Sequence, residues 1–309
     1  MRPSAPTADA PAPPAGQRVA RLVVSRRYRL DRTLACGQCF RWTVLDASAP
    51  HAANGPGRAT LARGVVDGAV AVVSQQGAVL RVAWDGPPGV LERLRVHLGA
   101  DAPLTAIEAA LARDPVLRRL LPQTSGIAIM RQDPWECLVS YVISAFNNIP
   151  KIRTSIEEVA RRFGVPIPGT TAWAFPRPER LAEARVEALR ACLLGYRAAS
   201  VRALARLVAD GDVDLSRIGA LPYAQAHQAL VALPGVGAKV AECVLLFAYG
   251  IGAAFPVDVW VQRAVERWYF GGRTRTPGAI RAWARDRFGP LAGHAQQHLY
   301  AAARAARVR

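Results

Sequence analysis

Residues 232–268 read ALPGVGAKVAECVLLFAYGIGAAFPVDVWVQRAVERW, and this stretch restricts both fold and chemistry more than any other. A helical pattern ends at Leu233, Pro234-Gly235-Val236-Gly237 make a tight turn, and a second helix begins at about Ala238. The two glycines let the turn's backbone approach another surface closely. The N–H groups that open a helix have no partner inside it, so they offer a phosphate an edge that positions DNA without reading its sequence. Lys239 falls in the first turn of the second helix, where the positive end of the helix dipole disfavours an ammonium and favours a nucleophilic free amine. Asp258, nineteen positions later, follows Phe255-Pro256-Val257 and precedes the next helix as a candidate N-cap. That interval holds one helix and a return loop, so amine and carboxylate can face each other across a cleft. Singly, a PGVG turn, a helix-start lysine and an aspartate before a helix are ordinary features. Their combination is specific.

The flanking sequence divides in two. Residues 18–85 read as strands: Val19, Leu22 and Val24 open an extended segment, and GVVDGAVAVVSQQGAVLRVAW sets β-branched residues between Gly-containing turns. APHAANGPGR at 49–58 reads as a loop between strands. From about residue 88 the period becomes helical, with Val90, Leu91, Leu94 and Leu98 on one face. After residue 133 helices dominate, opening with an Asp133 cap and Pro134 at the first helical position. PERLAEARVEALRACL reads as one helical segment. The outline is α+β: an antiparallel sheet domain over residues 18–125, then a helical domain over 126–309.

The 309 residues carry 40 Lys and Arg against 23 Asp and Glu, a net charge of +17, which favours a polyanionic partner. No apolar run is long enough for a membrane span. The Pro/Ala-rich residues 1–17 lack the apolar core of a signal peptide, so a disordered tail and a cytoplasmic location are expected. Five cysteines, an odd number, fit free thiols. Cys36 and Cys39 form a CxxC, but a zinc site needs two more ligands, and no second CxxC or HxxxH pair follows. Arg304, Arg307 and Arg309 read as a solvated face or tail.

LPGVGAKVAECV…FPVDVWVQR resembles the helix-hairpin-helix plus Gly/Pro-Asp signature of the base-excision glycosylase superfamily. CGQCFRW at 36–42, MRQDPWECLVSYVISAFNNIPKI at 130–152, LLGYRAASV at 193–201 and LAGHAQQHLY at 291–300 extend the resemblance to its 8-oxoguanine DNA glycosylase branch. It covers roughly residues 22–303, in order. The fold it implies is a TBP-like N-terminal antiparallel sheet followed by an all-α helix-hairpin-helix domain.

The resemblance implies a glycosylase/AP lyase that flips an oxidised purine out of duplex DNA. Lys239 attacks C1′ and forms a Schiff base, β-elimination follows, and Asp258 supports the oxocarbenium-like transition state. It implies that the Gly37 carbonyl accepts the N7 proton of 8-oxoguanine, that Cys243 and Tyr300 sandwich the flipped base, and that Gln296 binds its pairing edge. It assigns Asn147, Asn148, Lys151, Tyr196 and Arg197 to DNA and the opposite base, and Gly235, Val236 and Gly237 to phosphate. The family's first asparagine is Phe146 here, its nearby arginine is Lys151, and its histidine two residues after the aspartate is Trp260. Phe146 cannot make the family's hydrogen bonds, which leaves the preference for an opposite cytosine open. No cysteine follows Cys243, so an iron–sulfur loop is not expected, nor is any metal or cofactor. The expected working unit is a monomer. Two other readings differ in prediction: a monofunctional alkylpurine glycosylase would release 3-methyladenine without strand cleavage, and a non-enzymatic DNA-binding module would release no base. In the alkylpurine branch the lysine position is typically not lysine, so Lys239 opposes that reading.

Overall fold

The computed structural model describes residues 17–45 and 60–308. The expected tail, apart from Gln17, and the expected loop at 49–58 lie outside the described residues.

Five strands, β1 (Arg18–Val23), β2 (Trp42–Val44), β3 (Thr60–Val66), β4 (Ala69–Gln76) and β5 (Val79–Trp84), form one antiparallel sheet in the order β1-β5-β4-β3-β2. The two-residue period decides its inner face: Ala62 and Val66, Ala71 and Val73, and Leu80, Val82 and Trp84 are buried together. Asp67 and Gly68, with φ of 51° and 70°, join β3 to β4 in the tight turn such a dipeptide favours. The reading of 18–85 as strands needs one correction. Leu30–Ala35 is a helix, α1, whose Leu30, Thr33 and Leu34 are buried. Six residues are too few for a helical period to stand out among strands. The correction matters because the end of α1 delivers Cys36 and Gly37.

Three helices follow: α2 (Val90–His97), α3 (Leu104–Leu111) and α4 (Pro115–Thr124). Leu94 of α2 enters the sheet core, and the Trp42 indole donates to His97 Nε2 at 2.9 Å. Leu117, Leu120 and Leu121 of α4 instead pack with Val261, Val265, Ala295 and Leu299, far along the chain. Residues 18–125 therefore do not pack as one group with the sheet. An amphipathic helix commits its apolar stripe to the complementary surface it meets, which local sequence does not name.

The remaining helices are α5 (Pro134–Ser144), α6 (Ile149–Phe163), α7 (Pro178–Ala182), α8 (Val186–Leu189), α9 (Arg197–Ala209), α10 (Leu215–Ile218), α11 (Tyr223–Val231), α12 (Ala238–Phe247), α13 (Val259–Tyr269), α14 (Pro277–Phe288) and α15 (Ala292–Ala305). PERLAEARVEALRACL is split rather than continuous: α7 ends at Ala182, and α8 runs into an irregular turn where Leu193 has φ 62°. Asp133 caps α5 as read, accepting the Glu136 N–H at 2.8 Å. Helices α5 and α12 are apolar around most of their circumference, and Cys137–Ser144 and Val240–Phe247 are buried. They form the centre on which α9 and α11 pack.

Candidate active site

Helix α11, the turn Pro234–Gly237 and α12 form a helix-hairpin-helix. Gly235 has φ 77°, and a side-chain carbon there would lie 2.7 Å from Ser200 Cβ of α9, so the turn requires glycine. Val236 is buried beneath the turn, while Gly235 and Gly237 are exposed. Gly237 caps α12 without a side-chain acceptor, so the opening N–H groups of α12 receive no protein cap.

Lys239 is half-buried in the first turn of α12, its Nζ 5.1 Å from the centre of the Tyr141 ring of α5. Cys243 lies one turn further along the same face. Burial pushes the Cys243 thiol up to about 11; neighbouring Lys239 pulls it down and Asp258 pushes it further up. This thiol is a neutral contact at pH 7 rather than a competing nucleophile. Asp258 caps α13, accepting the Val261 N–H at 2.8 Å. Burial raises its carboxyl above the ordinary range, and the Val261 bond and Lys239 pull it back. Amine and carboxylate thus act on the same thiol and on each other. Partial removal from water strengthens the field the carboxylate exerts on a developing cation.

Gly37 enters this site from the opposite end of the chain. It has φ 74°, and a side-chain carbon there would stand 2.9 Å from the Tyr300 hydroxyl of α15. The Tyr141 hydroxyl reaches the Gln38 carbonyl at 2.9 Å and the Gly37 carbonyl at 3.2 Å. One hydroxyl proton serves one acceptor fully, and the shorter contact is to Gln38, so the Gly37 carbonyl keeps acceptor capacity. Gln38 is fully buried and pins the loop, donating to Ala128 O at 2.7 Å and accepting the Met130 N–H at 2.9 Å. Tyr141 stacks on Phe247 with centroids 5.7 Å apart, linking the Gly37 loop to the Lys239 helix. Burial raises the Tyr300 phenol; Arg304 lowers it, bonding the hydroxyl at 3.1 Å, and Asp258 raises it. A lysine side chain, a carboxyl group, an open carbonyl and two aromatic rings therefore converge from α1, α5, α12, α13 and α15. That set suits attack on an electrophilic carbon bearing a flat, polar leaving group.

Residues 139–290 match the HhH-GPD superfamily base excision DNA repair protein family, and residues 21–138 match the 8-oxoguanine DNA glycosylase N-terminal domain family. A structure of MBOgg1 in complex with a low affinity DNA ligand superposes with a TM-score of 0.84 at 31% identity, covering 96% of this chain and 98% of that one. The chain belongs to the 8-oxoguanine DNA glycosylase branch of the helix-hairpin-helix superfamily. The Clostridium acetobutylicum 8-oxoguanine glycosylase/lyase, bound to dsDNA containing cytosine opposite to 8-oxoG, superposes with a TM-score of 0.82 at 30% identity over 91% of this chain and 93% of that one. A probable N-glycosylase/DNA lyase from Methanothermobacter thermautotrophicus is 32% identical over 213 residues, 62% of this chain and 68% of that protein.

In this 8-oxoguanine glycosylase relative the remaining expected site residues fall into two groups. The first borders the hairpin: the absent side chain of Gly235 would meet Ser200 and Val142, placing the start of α9 and the end of α5 beside it. Phe146 there is 98% exposed with φ 49°, and Tyr196 is 66% exposed. Arg197, expected at DNA, is instead buried, its guanidinium 4.5 Å from the Tyr196 ring and bonded to the carbonyls of Ala145 and Phe146. Those carbonyls follow the end of α5 and find in Arg197 the donor that a continued helix would have supplied. Asn148 caps α6 through the Lys151 N–H at 3.0 Å, and Asn147 accepts the Asn148 N–H at 3.0 Å. Lys151 is exposed.

The second group lies on α15 and around it. Gln296, expected at the base edge, is buried, donating to Pro256 O at 3.1 Å and accepting from Gln297 at 2.7 Å. A base would have to exchange with these partners. Arg304, on the face read as solvated, is exposed, and it donates to the Tyr300 hydroxyl at 3.1 Å. Trp260 packs against Ala264, Ala303 and Val308. Cys36 and Cys39 are both buried free thiols, Cys36 pushed up to about 12 by burial. Among the described residues no cluster of His, Cys, Asp or Glu could hold a metal. Sequence reasoning missed Tyr141, although it stands in the quoted SYVISAF segment. Glu242 was missed as well, and its only signal was a charge inside an apolar helix.

Proposed function

We infer that this protein is a DNA N-glycosylase with AP lyase activity that removes 8-oxoguanine from duplex DNA. The observation that carries the reading is Lys239 and Asp258 meeting at Cys243 beside the Gly37 carbonyl and Tyr300. The damaged nucleotide leaves the base stack to reach them. Lys239 Nζ adds to C1′ as the C1′–N9 bond breaks, with the bonding pair departing on the base, which takes up a proton. Asp258 stabilises the positive charge that develops on the sugar. One proton then leaves Nζ, the C1′–O4′ bond breaks with O4′ taking up a proton, and an iminium that keeps one N–H remains between Nζ and C1′. Loss of a C2′ proton then expels the 3′ phosphate, and water releases Lys239.

The Gly37 carbonyl fits the N7 proton of 8-oxoguanine. Guanine has no proton there, so two acceptors would face each other unpaired. Cys243 and Tyr300 are the proposed faces of the base pocket, and Gln296 turns from Pro256 to the base edge. Gly235, Val236 and Gly237 present N–H groups to phosphate, and Asn147, Asn148, Lys151 and Tyr196 form the DNA-facing rim. Arg197 supports that rim from beneath. Phe146 has no group to hydrogen-bond an opposite cytosine. All these groups come from one chain, so a monomer without a metal or cluster suffices for these steps.

The test is borohydride trapping and strand cleavage on duplexes with 8-oxoguanine opposite each of the four bases. The protein should give a covalent adduct, and Lys239→Gln should abolish it. Since a good bidentate base contact is worth ~1–3 kcal/mol, its absence at Phe146 should lower the preference for cytosine by about 5- to 150-fold, and Phe146→Asn should restore a preference of that order. Absence of trapping by folded protein, or 3-methyladenine release without strand cleavage, overturns the reading.

A further inference from the structure

Glu242 lies in α12 three positions after Lys239, fully buried, and the steps above give it no part. Removing an ion from water is unfavourable unless protein groups replace its solvation. Here three segments of the chain supply them. Its Oε2 accepts the backbone N–H of Phe255 at 2.6 Å. Its Oε1 accepts the Tyr223 hydroxyl from α11, with His227 Nε2 of α11 at 3.5 Å and Arg281 Nε of α14 at 3.8 Å. Arg285 of α14 donates to the same Tyr223 hydroxyl at 2.8 Å.

Phe255 is the third residue before Asp258. Its N–H goes to a side chain of the helix that bears Lys239, so one carboxylate ties the Asp258 segment to the Lys239 helix. The next carbonyl, that of Pro256, is held by Gln296. Without DNA the segment entering α13 is therefore gripped at two successive residues by side chains, and once Gln296 turns to a base the Glu242 tie at Phe255 remains. An apolar residue at 242 could fill the volume but would leave the Phe255 N–H buried without an acceptor and the segment free to shift.

We propose that Glu242 is a positioning residue that sets Asp258 relative to Lys239; the proposal rests on the glycosylase reading above. It acts only through Asp258 and its segment, and touches no substrate. A displacement of about 1 Å in a reacting constellation lowers rates by ~10²-fold, so this tie should govern excision more than DNA binding.

The experiment compares full-length Glu242→Ala and Glu242→Gln with the unsubstituted protein in three measurements. These are single-turnover excision from an 8-oxoguanine duplex, borohydride trapping on a preformed abasic site, and affinity for a duplex with a tetrahydrofuran abasic analogue. Excision needs both Lys239 and Asp258, whereas the Schiff base on an abasic sugar forms through Lys239. Glu242→Ala should lose ~10²-fold in excision, less than about ten-fold in trapping, and little affinity. Glu242→Gln keeps an oxygen for the Phe255 N–H and should recover most of the excision rate. If Glu242→Ala does not fold, Tyr223→Phe carries the test: it removes the hydroxyl that reaches Glu242 but keeps the ring, and excision should fall while trapping persists. Folded Glu242→Ala excising at the unsubstituted rate overturns the proposal. So does a parallel loss of excision, trapping and affinity in Glu242→Gln and Tyr223→Phe. Failure of the unsubstituted protein to excise would instead defeat the glycosylase reading itself.

Discussion

At Asp258 two demands oppose each other. The carboxyl is raised above its ordinary range, first by burial, so its ionised form is held in the folded protein at some expense of stability. Because the folded value is the higher one, that penalty is complete only above the folded value. It is relieved as pH falls through the folded value toward the unfolded one. Asn keeps the cap on the Val261 N–H and removes the charge. Asp258→Asn should therefore lose ~10²-fold or more in single-turnover excision, a typical effect of removing one group that stabilises transition-state charge. Its thermal midpoint at pH 7 should be unchanged or higher. A lower midpoint with excision intact would show the residue to be a cap and nothing more. The sequence marks Asp258 and Lys239 by position alone, whereas Glu242 and Tyr141 gain meaning only from residues that reach them from α11, α14 and the Gly37 loop.

Among elements, the hairpin is the most legible. Gly235, Val236 and Gly237 sit where the turn was read, and α12 begins at Ala238. Glycine, proline and cap signals are local, so sequence reports them well. Gly235→Ala tests how far the turn depends on its backbone shape. The positive φ alone should cost about 1–3 kcal/mol, and the new carbon meets Ser200. Thermal stability and affinity for an abasic-analogue duplex should both fall; an unchanged affinity would remove the turn from the DNA interface. The α5–α6 loop was less legible. Its asparagines could be read, but an exposed Phe146 held by buried Arg197 depends on α9 meeting the end of α5. Likewise α1 was hidden because six residues carry too little periodicity to compete with neighbouring strands.

Over the whole molecule, the excess of Lys and Arg gives a net charge of +17, and its functional measure is salt dependence. With a slope near −0.9 per phosphate neutralised, raising salt four-fold should weaken duplex binding by about ten-fold for every two phosphates contacted. Titrations with undamaged duplex at 50 and 200 mM salt, taken here as about a four-fold step, measure this; a flat response would place the basic charge away from DNA. The α+β order, the antiparallel sheet and the hairpin were all determined by sequence alone, because periodicity, caps and turns are short-range, and the same local signals singled out Lys239 and Asp258 as the amine and carboxylate to test. Only the tertiary structure decided that Gly37 meets Tyr300, that α4 leaves the sheet for α13 and α15, that Arg197 braces a loop, and that Glu242 ties Asp258 to the Lys239 helix. Each of these joins residues distant in sequence, and their meeting depends on which buried surfaces fit one another.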